Sequence, residues 1–247
     1  MHKKLISGCL CVLLILSGCS KDTNEPEETF DTPSVRTLRT IGNENCGYLN
    51  IPDNFIELSD FTTDTNMQYG NDKCVFTLSV LSNVENMDDA VENVVSAMSD
   101  MCTSDIYNAD VELSGYESKQ LYGYYEDDDM FLVVDLIPVE NNIIYSAAEF
   151  NSDNVQLSEY LDTYCDSNVI KLKNTLNIDT DCASSAMKVL RSLDFYNVES
   201  CVKIPSDIGT SAEVTNGDNT LKLKFGELGC LERVYDNADN CLYKTIE

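Results

Sequence analysis

Carboxylates are the groups this sequence offers in quantity: 43 Asp and Glu among 247 residues, against 16 Lys and Arg. Two of them facing each other across a cleft could cleave a glycosidic bond, one as acid and the other as base or nucleophile. A carboxylate-based hydrolase of cell-wall or extracellular glycans is therefore the catalytic alternative open to the chain. Imidazole chemistry is closed, because the single histidine is His2, in a segment read below as removed. Without it there is no Ser–His or Cys–His couple and no His metal ligand. No Gly-rich phosphate loop and no Gly-x-Ser-x-Gly elbow occurs. So many acids produce plausible pairs by composition alone. The residues supply no catalytic signature, no cofactor site and no metal site, and the chain reads as a non-enzyme.

Three local features carry chemistry beside a plainer meaning. Glu126-Asp127-Asp128-Asp129 lies between two predicted strands, where four acids could hold a hard cation or simply form a solvated hairpin tip. Asp135 interrupts the most apolar strand, so burial would raise its pKa. Tyr122 and Tyr124 share one strand face, near Tyr116 and Tyr125. Such a stripe suits protein or glycan contact, although sheet-face packing also uses tyrosine.

The amino terminus gives the address. Lys3 and Lys4 precede an apolar run from Leu5 to Leu16, and the small residues Ser17 and Gly18 precede Cys19. The run is about 12 residues, whereas a spanning helix needs roughly 20. Leu16-Ser17-Gly18-Cys19 resembles the lipobox of bacterial lipoproteins. That resemblance implies a signal peptide at 1–18 and a diacylglyceryl thioether on Cys19, the new N-terminus. Two acyl chains, at ~0.8 kcal/mol per buried methylene, give stable anchoring where one is marginal. Residues 19–43, polar, acidic and Pro-containing, read as a disordered tether spanning about 25–30 Å. The expected location is extracytoplasmic, lipid-anchored to the bacterial cell membrane through Cys19. Without 1–18 the charge is −29, from 14 basic and 43 acidic residues. That excludes nucleic acid, which needs a basic stripe, and favours a basic or neutral protein or glycan partner.

Eight cysteines follow Cys19 without any C-x-x-C pair. Outside the membrane they could be bridged, or serve as buried small apolar residues. The local bridge favoured by spacing is Cys230 with Cys241, whose intervening residues look like a hairpin.

The elements that must position these groups follow from periodicity. Cys46–Ile51, Phe55–Leu58 and Cys74–Leu81 read as strands. Asn86 caps a helix to about Met101, with Asp88 and Asp89 favoured in its first turn. Four strands follow, at Val111–Ser114, Lys119–Tyr125, Met130–Ile137 and Ile143–Phe150. Both faces of the third are apolar, so both sides of the sheet need cover, and helices are the available cover. A long helix over Val155–Leu176 and a shorter one from Asp181 come next, then short strands from Val198 with Asn216-Gly217 as a hairpin turn.

Gly47-Tyr48-Leu49-Asn50-Ile51-Pro52-Asp53-Asn54-Phe55, the helix at 86–101, Gly115-Tyr116-Glu117-Ser118-Lys119 and the meander ending in Ile144-Tyr145 resemble the PsbP/Mog1-like domain of uncharacterised Gram-positive lipoproteins. The resemblance implies an α+β fold, an antiparallel sheet covered by helices on both faces in an α/β/α sandwich, over residues 44–180. A short helix and a small β-rich C-terminal appendage would occupy 181–247. The family implies an accessory or binding role and carries no shared catalytic motif.

Overall fold

The computed structural model describes residues 37–206 and 209–245. The signal peptide, Cys19 and most of the tether lie outside the described residues. Residues 38–43, assigned to the tether from composition, form a strand instead. Here β1 (Leu38–Asn43) pairs antiparallel with β2 (Gly47–Pro52), and Ile41 inserts into the core. Pairing with an apolar strand overrides local polarity.

Among the described residues strands dominate, in three antiparallel sheets of two, five and seven strands. The largest comprises β3 (Ile56–Glu57), β4 (Asn66–Gly70), β5 (Cys74–Val80), β6 (Tyr107–Leu113), β7 (Tyr116–Tyr125), β8 (Met130–Val139) and β9 (Asn142–Asn151). Their order is β3-β4-β5-β9-β8-β7-β6. One face is covered by α1 (Met87–Ser99), whose Asn86 cap accepts from the Asp89 N–H as its sequence predicts. Ala90, Val94 and Met98 pack there on Leu121, Leu132, Val134 and Leu136. The opposite face meets the β1–β2 hairpin and a 3-10 segment, Ser152–Thr163, through Leu49, Ile51, Leu157 and Leu161.

The helix-covered α/β/α sandwich is therefore not the architecture. Its second covering helix, expected over 155–176, is broken at 164–166. There Tyr48 and Cys165 exchange backbone hydrogen bonds of 2.8 and 3.0 Å, and the Tyr164 side chain is wholly buried. Two strand-type bonds and an aromatic anchor outweigh one continuous helical stripe. The chain restarts as α2 (Ser167–Leu176), capped by Asp166, followed by α3 (Thr180–Ser192), capped by Asp179. These two helices share a core with β10 (Ser200–Ile204), β11 (Thr210–Asn216), β12 (Asn219–Phe225), β13 (Leu231–Tyr235) and β14 (Cys241–Lys244). Asn216-Gly217 does turn β11 into β12.

A desolvated cluster joins this core to the seven-stranded sheet. Arg191 and Asp166, both almost fully buried, pair at 2.5 Å. The Tyr116 hydroxyl donates to the same carboxylate, and the Arg191 guanidinium lies 3.8 Å from the centre of the Tyr116 ring. Arg191 also donates to the Ser114 carbonyl. At the β6–β7 turn Gly115 has φ +82°, and a Cβ there would meet the Lys188 backbone at 2.8 Å. The turn needs glycine both for its dihedral and to touch α3.

Removing Arg191 would strand a carboxylate in the interior. Arg191→Ala should cost about 3–5 kcal/mol in urea unfolding, and a loss below about 1 kcal/mol would contradict the cluster's role.

Candidate functional site

An aromatic ladder crosses the edge of the large sheet. It starts on the edge strand β6, where Tyr107 is 59% exposed, and continues to Tyr122, 40% exposed, directly opposite on β7. The two rings stack at 5.1 Å and 19°. Phe131 on β8 lies 6.4 Å from Tyr122 and 4.7 Å from Tyr124, and buried Phe150 on β9 lies 6.0 Å further on. The rings thus run from solvent into the core, so the exposed end rests on a packed foundation. Gly123, between the two tyrosines, admits Cys102 and Ile106 on the other face, since a Cβ would meet their side chains at 2.7 and 2.8 Å. That close packing fixes the strand carrying the rings.

The acidic tip borders the ladder. Glu126–Asp128 form one 3-10 turn, and Asp129 takes the left-handed conformation that a hairpin reversal requires. The Asp129 carboxylate accepts from the Tyr124 hydroxyl at 3.0 Å and from the Ser152 hydroxyl at 2.7 Å. Its hydrogen bond to Asp129 raises the Tyr124 pKa and keeps the hydroxyl protonated. Among the described residues no group of three or more His, Cys, Asp or Glu side chains gathers as a metal site.

The other tyrosines of the predicted stripe are dispersed. Tyr116 belongs to the Asp166 cluster, where burial and then the adjacent carboxylate push its pKa up. Tyr125 points to the α1 face and meets Glu149 at 3.3 Å. Tyr107, Phe131 and Phe150 were not singled out in the sequence. Their partnership depends on the pairing of β6 with β7 and of β8 with β9, which no local pattern encodes.

Asp135 is fully buried and accepts from Gln120 at 3.0 Å. Its second oxygen and the hydroxyl of Ser146, in register beside it, have no partner among the described residues. Glu149 pairs in register with Leu132, on the α1 face, whereas Asp135 shares the parity of Val133 and Ile137 on the other. Burial raises both carboxyl pKa values. With the sheet between them, these two acids cannot flank one glycosidic bond.

Cys230 and Cys241 do not form the expected bridge. Cys241 is opposite Tyr235, while Cys230 precedes the other end of β13. Five residues of strand, at ~3.3 Å each, separate the ends by roughly 17 Å, well beyond the ~7 Å limit between bridged Cα atoms. Among the described residues Cys230 and Cys241 are both unbridged. Burial pushes Cys46 up to about 11 and Cys165 up to about 12, which makes both poor nucleophiles.

No family model matches the sequence, and no curated protein matches it significantly. Among solved structures, a protein of unknown function from Pseudomonas aeruginosa, PA94, is similar over 49% of this chain and 88% of its own, with 12% identity and a TM-score of 0.29. A likeness of that degree fixes neither fold nor function. No described helix is long and apolar enough to cross a membrane.

Burial raises Asp135 from 3.8 to about 6, against the smaller opposing effect of Gln120. The folded state therefore binds this proton more tightly than the unfolded chain. Its stabilising effect is complete below pH 3.8 and is lost as pH rises through about 6. Asp135→Asn should therefore be more stable than wild type by roughly 2–3 kcal/mol near pH 7.5, with the gap closing near pH 4. Urea midpoints at the two pH values measure this, and a gap that does not change with pH would refute it.

Proposed function

We propose that the protein is a lipid-anchored, cell-surface lipoprotein with a binding role, and that it contacts a cationic segment of another envelope protein through the Tyr107–Tyr122–Tyr124 surface. The exposed stacked rings are the observation that carries this reading. Aromatic faces attract Lys and Arg, by about 0.5–1 kcal/mol at exposed sites and more when water is excluded. The ring surface is bordered by the exposed acids Glu126, Asp127 and Asp128, so a cation over it meets both a quadrupole and a negative field. The overall charge steers the same kind of partner and repels acidic ones. Lipobox residues Leu16–Cys19 support the anchored location.

The edge strand adds a reason for restraint in how the partner docks. Asp110 and Glu112 are exposed on β6, and Lys119 and Lys188 pair with them. Charges along an edge discourage strand addition, so side-chain contact with the rings is favoured over extension of the sheet.

A defined probe isolates the rings from the charge. An oligo-lysine peptide should bind wild type, and Tyr107→Ala/Tyr122→Ala should weaken it about tenfold without changing net charge. Titration calorimetry at low salt reads the difference. Equal affinity for both proteins would overturn the proposed surface, as would binding of a neutral chito-oligosaccharide by the rings in place of the peptide.

A further inference from the structure

We propose that Cys182 and Cys230 form a reversible dithiol–disulfide site, oxidised by a small-molecule disulfide that approaches through the cleft beside Cys230. Their sulfur atoms lie 3.4 Å apart. Cys182 is buried in the first turn of α3, where its N–H donates to the Asp179 carboxylate at 2.7 Å. Cys230 is exposed, at the end of a tight loop between β12 and β13. That loop is closed by bonds from Gly226 N–H to the Cys230 carbonyl and from Gly229 N–H to the Gly226 carbonyl, at 2.9 and 3.0 Å. A cleft of about 580 Å³ opens beside it, lined by Lys224, Phe225, Leu228, Glu232 and Arg233 as well as Cys230. One thiol is therefore reachable from solvent and the other waits behind it.

The roles follow from this arrangement. The Cys230 thiolate attacks one sulfur of the donor R–S–S–R, forming Cys230–S–S–R and releasing RS⁻, which takes up a proton. Cys182 then loses its proton and attacks the Cys230 sulfur, expelling the second RS⁻ as RSH. Two electrons pass from the protein sulfurs to the donor, giving one intrachain disulfide and two RSH. Burial, then the hydrogen bond with Cys230 and the nearby Asp179, raises Cys182 to about 12, so Cys230 reacts first. Capping Cys230 removes its share of that shift, and the 3.4 Å separation of the sulfurs favours the second attack. Bond formation asks the sulfurs to close from 3.4 Å to about 2.05 Å. The exposed loop at 226–230 is the side that can move. Neither thiol belongs to the aromatic ladder, so the site stands or falls separately from the binding surface.

Oxidised glutathione serves as the probe. The full chain, reduced and held in detergent, is treated with it, blocked with iodoacetamide, digested with trypsin and mapped without reduction. Trypsin places Cys182 in 174–188, Cys230 in 225–233 and Cys241 in 234–244, so every pairing among these three is distinguishable. The expected product is 174–188 linked to 225–233, with loss of both alkylated forms and their return after dithiothreitol. In Cys182→Ser the glutathione should instead remain on Cys230. Free Cys182 and Cys230 in treated wild type would overturn the site. So would a Cys230–Cys241 link, or glutathione retained on wild-type Cys230.

Discussion

The Asp166 carboxylate is the buried charge on which the junction between the two cores of the described body is built. Its Oδ1 accepts from the Asn168 and Val169 N–H groups and caps α2, while its Oδ2 receives Arg191 from α3 and the Tyr116 hydroxyl from β7. Taking a carboxylate and a guanidinium out of water costs several kcal/mol each, and only several charge-assisted bonds in good geometry offset it. Here those bonds come from α2 itself, from α3 and from β7, 50 residues away in sequence, so none of them can leave without exposing the others' penalty. The consequence reaches the surface. β7 is held by Tyr116 at one end and carries Tyr122 and Tyr124 towards the other, so the ladder is presented by a strand fixed in the core.

Local chemistry was readable wherever it was decided locally. Asn86 before Asp88 and Asp89 gave α1, alternation gave β5 and β8, and Asn216-Gly217 gave the β11–β12 turn. The α/β/α expectation failed because it took the periodic stretch 155–176 as one helix. Tyr164, Cys165 and Asp166 are each called elsewhere, to the core, to Tyr48 and to Arg191, and such long-range demands leave no trace in a helical repeat. The same cause moved α2 and α3 onto the C-terminal strands and turned 38–43 from tether into strand.

Sites were legible as residue types but not as partnerships. Asp135 was marked by its place in an apolar strand, and it is buried. Tyr122 and Tyr124 were marked by spacing, yet the rings that make them a surface, Tyr107 and Phe131, come from neighbouring strands. The cysteines show the limit most clearly. Counting along the chain favours Cys230 with Cys241, whereas folding places Cys182, 48 residues earlier, beside Cys230.

On the proposed reading, a strongly acidic body works at a membrane from which its own charge would repel it, held there by acyl chains on Cys19. An anionic leaflet offers no attraction to a chain of net charge −27, or −29 once residues 1–18 are removed, so on this reading the anchor supplies the affinity. Fractionation of cells expressing Cys19→Ala tests this most directly. The account predicts that wild type sediments with membranes and that the variant does not. Membrane association unchanged by the substitution would contradict it.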